Sequence, residues 1–113
     1  IFIGDSAGYY NTTRHNIFIG LKSGFNNSSG TRNVFIGYDA GEANTTSGNN
    51  TYIGTFAGNE KTGERNTFLG YWAGGDAAAG DNNVYIGDLQ KLSDQEGSGP
   101  QNRRREDGAD ASC

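Results

Sequence analysis

Asn33-Val34-Phe35-Ile36-Gly37-Tyr38-Asp39-Ala40-Gly41 is the stretch on which the fold turns, because versions of it recur along the chain. Its kernel is an aromatic, then Ile or Leu, then Gly. It stands at Phe2-Ile3-Gly4, Phe18-Ile19-Gly20, Phe35-Ile36-Gly37, Tyr52-Ile53-Gly54, Phe68-Leu69-Gly70 and Tyr85-Ile86-Gly87. The steps between the aromatics are 16, 17, 17, 16 and 17 residues. A fixed short period means that each unit is one supersecondary element, unable to bury its apolar side alone and obliged to stack on its neighbours.

Aligned on the glycine, a second small block follows: Ala7-Gly8, Ser23-Gly24, Ala40-Gly41, Ala57-Gly58 and Ala73-Gly74. A polar stretch then carries a third glycine (Gly30, Gly48, Gly63, Gly80, with Thr13 in that place in the first unit) and closes on Asn16, Asn33, Asn50, Asn66 or Asn83. The one-residue length variation falls in the polar stretch, which reads as an outer loop. The block before each first glycine is β-branched and aromatic, hence a short strand. Alternate side chains of a strand face opposite ways, so the Ile/Leu and the aromatic point apart. Ala or Ser, four positions after the Ile/Leu, is small enough to sit opposite it inside a flat coil. This puts the Ile/Leu inside and the aromatic on an outer face that needs cover. Glycines at the corners permit sharp bends, and the closing asparagines can form hydrogen-bonded ladders between coils.

These features predict an all-β fold, a β-roll or β-solenoid of 16–17-residue coils over residues 1–87, with two short strands and two turns per coil. Few large apolar side chains per coil stand against the entropy of ordering the whole coil. Association of identical chains would cover the second apolar face, and a parallel homotrimer is expected.

Composition narrows the function classes. The chain has 113 residues, enough for one modest domain, with 33% apolar residues and 19 Gly. Gly does not recur every third residue, which rules out a collagen helix. A net charge of −4 gives no electrostatic case for nucleic acid as a partner. No apolar run is long enough to span a membrane. The single Cys, Cys113, rules out an internal disulfide framework and a Cys-based metal site. The chain starts within a motif at Ile1, which reads as a fragment of a longer protein.

The unit Asn-x-Phe-Ile-Gly-x-x-Ala-Gly, seen at Asn33–Gly41, resembles the repeat of bacterial and phage surface fibres, where such units precede a stalk or a C-terminal chaperone domain. It is similar, more loosely, to the head repeats of trimeric autotransporter adhesins, which form left-handed β-rolls. The period here is longer, and an aromatic precedes the Ile. The resemblance covers residues 1–87 and implies a trimeric, extracellular fibre segment on a cell surface or virion. It implies nothing about a ligand.

Residues 88–113 abandon the pattern and read as a flexible, largely disordered tail. Leu89 and Leu92 could open a coiled-coil stalk before Gly97-Ser98-Gly99-Pro100 breaks it. Arg103-Arg104-Arg105 adjoins Glu106-Asp107 and reads as solvated charge.

Catalytic chemistry is sought and not found. His15 is the sole histidine, so no His-based pair exists within one chain. Asp5, Asp39, Asp76 and Asp81 occupy different repeat positions and read as solvent-facing charge. No phosphate-binding glycine motif is present. A non-enzymatic protein without cofactor or metal is expected. Asn11-Thr12-Thr13, Asn27-Ser28-Ser29 and Asn44-Thr45-Thr46 fit the N-glycosylation pattern, as composition alone would produce.

The most suggestive residues are aromatics outside the fixed position: Tyr9, Tyr10, Phe25, Tyr38, Phe56, Tyr71 and Trp72. Tyr38 and Tyr71 share one repeat position; Phe56 and Trp72 share another. Tyr38, Phe56, Tyr71 and Trp72 are the candidate ligand-binding residues, for a glycan or a cell-surface receptor. The plainer reading is packing between neighbouring chains. Against a fibre segment stands a standalone binding module for carbohydrate or for ice. Ice binding needs Thr at one stacked position in every coil, and Thr12, Thr45 and Thr62 are read as holding no such register.

Overall fold

A computed structural model of the chain describes residues 1–60, 63–74 and 80–88. Its regular structure is six short strands: β1 (Phe2–Ile3), β2 (Ile17–Ile19), β3 (Val34–Ile36), β4 (Thr51–Ile53), β5 (Thr67–Leu69) and β6 (Val84–Ile86). They form one parallel sheet in chain order, so each circuit of the chain returns one rung further along. Pairing joins like to like, with Phe18 beside Phe35, Phe35 beside Tyr52 and Tyr52 beside Phe68. The all-β solenoid read from the repeat is the observed architecture. The tail from residue 89 onward, Thr62 and Asp76 lie outside the described residues.

Each strand stops at its first glycine for two reasons. Gly37 sits at φ 134°, a region open essentially to glycine alone. A Cβ there would also lie 2.5 Å from the carbonyl oxygen of Gly54 in the next coil. Backbone meets backbone between coils at this corner, and nothing larger than hydrogen fits.

The faces of the strand are the reverse of the expectation. The aromatic points in: Phe18, Phe35, Tyr52 and Phe68 are fully buried. The Ile/Leu points out, with Ile3, Leu69 and Ile86 all exposed. Rings from Phe2 to Tyr85 stack face to face at 4.8–5.1 Å with interplanar angles of 5–12°. Flat rings suit this stack because strands in a parallel sheet repeat at about 4.8 Å, within the centroid spacing that offset-stacked rings prefer. The small residues belong to the ring, not to the isoleucine. Ala40, Ala57, Ala73 and Ser23 are buried with the column, and the Ser23 hydroxyl donates to the Phe35 carbonyl at 2.8 Å. The following glycine lies directly under a ring, so that a Cβ on Gly24 would come within 2.7 Å of Phe18.

The cross-section also differs from two strands and two turns. One strand per coil is followed by a run of tight turns. Ala40 N–H donates to Gly37 O at 3.2 Å, Glu42 to Asp39 at 3.2 Å and Asn44 to Gly41 at 3.0 Å. The third residues of the first two turns, Asp39 and Gly41, have φ of 57° and 63°, the sign a type II turn demands. These turns remain bonded between coils, with Gly24 N–H donating to Ala40 O and Gly41 N–H to Ala57 O, both at 2.9 Å. A second strand is unnecessary, because the turns already satisfy the backbone groups that burial would otherwise strand.

The closing asparagines form the expected ladder. Asn33, Asn50, Asn66 and Asn83 each donate a backbone N–H to the side-chain oxygen of the preceding Asn at 2.8–2.9 Å. Their amide nitrogens reach forward to a carbonyl on the next coil, from Asn33 to Ser47 and from Asn50 to Gly63, each at 3.0 Å. Ser47, not Gly48, therefore occupies the rung of Gly30, and Asn49 N–H donating to Thr31 O puts Gly48 level with Thr31. The left-handed residue at this corner is the one before each asparagine: His15, Arg32, Asn49, Arg65 and Asn82. The polar stretch is more than an outer loop. Asn27 and Asn44 turn inward as a second ladder, Asn27 Nδ2 reaching Asn11 Oδ1 at 2.7 Å and Asn44 Nδ2 reaching Asn27 Oδ1 at 2.8 Å.

Candidate functional site

The solenoid holds its chemistry-bearing side chains in columns, one position per coil. Just past the strand, the position after the first glycine carries Asp5, Leu21, Tyr38, Thr55 and Tyr71. The next position carries Ser6, Lys22, Asp39, Phe56 and Trp72, all with φ between 57° and 63°. Both columns lie on the outside of one corner.

The four candidate aromatics meet there as one cluster. Phe56 is its centre, with ring centroids 5.3 Å from Tyr38, 5.5 Å from Trp72 and 6.1 Å from Tyr71. Tyr71 and Trp72 pack edge to face at 6.0 Å. Tyr38 is 43% and Tyr71 50% exposed, while Phe56 and Trp72 are half-buried beside them. The inner pair supports the outer pair, and two tyrosine rings remain for a partner.

Phe56 and Trp72 sit where their size is a liability. The left-handed region costs an L-residue about 1–2 kcal/mol, and bulky side chains are rare in it. Coils one to three place Ser, Lys and Asp at this turn position. The left-handed turn is common to every coil; coils four and five are the ones that place bulky rings on it. That placement distinguishes it from incidental surface aromatics.

A second ring cluster lies at the other end of the turn run. Tyr9 stacks on Phe25 at 5.2 Å, Tyr10 meets both edge-on, and the Lys22 ammonium lies 5.5 Å from the Phe25 ring centre. The signal for this grouping in the sequence is the shared repeat position of Tyr9 and Phe25, each directly after a second glycine.

The remaining polar candidates stay dispersed. His15 is exposed, and Asp5 and Asp81 face solvent as expected, Asp81 accepting the Glu64 N–H at 2.8 Å. Asp39 is the exception: it is half-buried, and its Oδ1 is enclosed without a hydrogen-bond partner among the described residues. Among the described residues no three His, Cys, Asp or Glu side chains come together as a metal site. The glycosylation-type asparagines are committed elsewhere, since Asn27 and Asn44 are buried in their ladder.

Thr12 N–H donates to Ser28 O and Ser28 N–H to Thr45 O, so Thr12 and Thr45 stand in one column with Ser28 between them, and threonine does not fill that position in every coil. The hydroxyls of Thr12 and Ser28 are used internally: Thr12 Oγ1 donates to Ser28 O at 2.9 Å and Ser28 Oγ to Thr45 O at 3.2 Å.

The outer face of the sheet is the other notable surface. Ile19, Ile36, Ile53 and Leu69 form one column and Ile17, Val34, Thr51 and Thr67 a second, both turned away from the ring stack. Together they make a largely aliphatic strip running along the axis, with Thr51 and Thr67 on one side of it.

The fold defines a class, the single-sheet parallel β-solenoid with an internal aromatic column. No protein-family model matches the chain, and no curated protein or solved structure matches it significantly.

Proposed function

We propose that the chain is a non-enzymatic structural segment of an extracellular fibre, on a cell surface or a virion tail, in which parallel copies associate as a homotrimer through the aliphatic strip. The observation that carries this reading is the strip itself. Ile3, Leu69, Val84 and Ile86 are exposed, and Ile19, Ile36 and Ile53 are half-exposed in line with them. A continuous apolar surface of this kind marks an association face more often than a solvated one. Its columns run with the solenoid axis, so copies packed in parallel bring equivalent rungs level. The resemblance of Asn33–Gly41 to fibre repeats points the same way.

Sedimentation equilibrium tests this directly. Three times the chain mass is expected, and a folded monomer at micromolar concentration would overturn it. A second reading, a standalone carbohydrate-binding module, is favoured by the exposed rings of Tyr38 and Tyr71. The ice-binding variant loses its support with the hydroxyls of Thr12 and Ser28 bonded to the backbone.

A further inference from the structure

We propose that the Tyr38–Tyr71 corner is a binding site for an extended β-1,4-linked glycan lying parallel to the solenoid axis, with alternate sugars stacked on the two tyrosines. The inference concerns a corner rather than the sheet face and does not require the fibre reading to hold.

The argument is one of matched periods. Tyr38 and Tyr71 occupy the same repeat position two coils apart, with Thr55 between them. Parallel strands repeat at about 4.8 Å, so the two rings stand roughly 10 Å apart along the axis. By its own glycosidic geometry an extended β-1,4-linked chain of hexopyranoses advances by roughly 5 Å per sugar, close to the coil rise of about 4.8 Å. Each sugar is turned over relative to the last, so the same apolar face recurs at every second sugar. That is the spacing of the two tyrosines. The intervening sugar presents its other face over the middle coil, where Thr55 holds the tyrosines' repeat position and the Phe56 ring packs between the two tyrosines.

The other side chains of the cluster fit this role. Phe56 lies between the tyrosines, within 5.3 Å of one ring and 6.1 Å of the other, and fixes both. Trp72 adjoins Tyr71 and adds apolar surface at one end of the track. Aromatic rings held by packing lose little side-chain freedom on binding, which favours a weakly polar ligand such as a sugar face. The backbone strain accepted at Phe56 and Trp72 is thereby given a purpose. No cleft or general acid is needed, because the ligand is bound along a surface and not cleaved.

Trp72 is the only tryptophan, so its emission reports on this corner alone. The assembled protein is titrated with cellohexaose, chitohexaose and, as a linkage control, α-1,4-linked maltohexaose. A saturable change in emission is expected with at least one β-1,4-linked hexaose and none with maltohexaose. Tyr38→Ala and Tyr71→Ala should each weaken binding about tenfold, the worth of one stacking contact. Both sites are exposed, so the far-UV circular dichroism of the variants should stay unchanged.

A double exchange, Thr55→Tyr with Tyr71→Thr, keeps the number of rings but sets them one coil apart, and it should weaken binding as much as either deletion. The proposal is overturned if neither β-1,4-linked hexaose gives a saturable response, if maltohexaose binds equally, or if the exchanged variant binds like the parent. It is also overturned if iodide fails to quench Trp72 in the unliganded assembly, since another copy then covers the corner. Sedimentation of the same samples reads the oligomeric state separately, so loss of the trimer and loss of the glycan site are distinguishable.

Discussion

Aromatic residues do two different jobs in this molecule, and the contrast between the inner column and the outer corner separates scaffold from recognition. Inside, one ring per coil from Phe2 to Tyr85 stacks at interplanar angles of 5–12°, without a missing rung. Outside, the rings of Tyr38, Phe56, Tyr71 and Trp72 meet at 46–78° and occur only in some coils. The inner rings obey a lattice set by the strand repeat. The outer rings form no face-to-face stack and recur only in alternate or late coils, and two of them occupy backbone conformations that oppose bulky side chains. Uniformity marks what every coil needs; irregularity bought with strain marks what a particular coil is for.

The comparison can be broken most forcefully from the inside. Phe35→Ala removes a fully buried ring flanked by Phe18 and Tyr52 and should cost about 3–5 kcal/mol, since rings above and below cannot close the gap while the strands hold their spacing. Thermal denaturation followed by circular dichroism would read this as a large fall in the midpoint.

A middle-sized effect is expected beside the column. Asn50→Ala leaves the Asn66 N–H without the side-chain acceptor it has at 2.9 Å, inside the protein, at a cost of about 1–3 kcal/mol. Hydrogen exchange should show the Asn66 amide losing protection ahead of the Val34 amide, whose acceptor is the Asn50 backbone carbonyl. Equal loss at both would mean that the ladder melts as a unit.

The smallest effect should come from the outer corner, with the opposite sign. Trp72→Asn places a residue that tolerates the left-handed region at φ 60° and should stabilise the unliganded coil by up to about 1 kcal/mol. If this substitution instead destabilises the protein by the several kcal/mol of a core position, Trp72 is scaffold and the contrast drawn here fails.

Much of this architecture is legible in the sequence, and the part that is not has a definite cause. The period, the parallel stack and the asparagine ladder follow from residues such as Asn33, Phe35 and Gly37 recurring in register. The orientation of the strand does not follow so readily. Phe35 and Ile36 are both apolar, and alternation is unchanged when the two faces are exchanged. A signal existed in the residue before the ring: Thr51 and Thr67 share a face with Ile53 and Leu69, and a hydroxyl tolerated at that position marks it as the outer one. The grouping of Tyr38 with Tyr71 and of Phe56 with Trp72 was readable from repeat position. Their contact required the backbone, because nothing in Phe or Trp announces a left-handed residue. Gly48 is out of register with Gly30 although both are glycine, because the asparagine ladder's hydrogen bonds align Ser47 with Gly30.

The face assignment is the central claim, and one paired measurement tests it. Thermal unfolding by far-UV circular dichroism is compared for Phe35→Asp and Ile36→Asp, adjacent residues on opposite faces of β3. Phe35→Asp buries an unpaired carboxylate in the ring column and should abolish the folded signal, whereas Ile36→Asp should leave the coil folded and instead dissociate the assembly, since the side chain faces outward on the strip proposed as the association face. A folded Phe35→Asp protein alongside an unfolded Ile36→Asp protein would contradict the account.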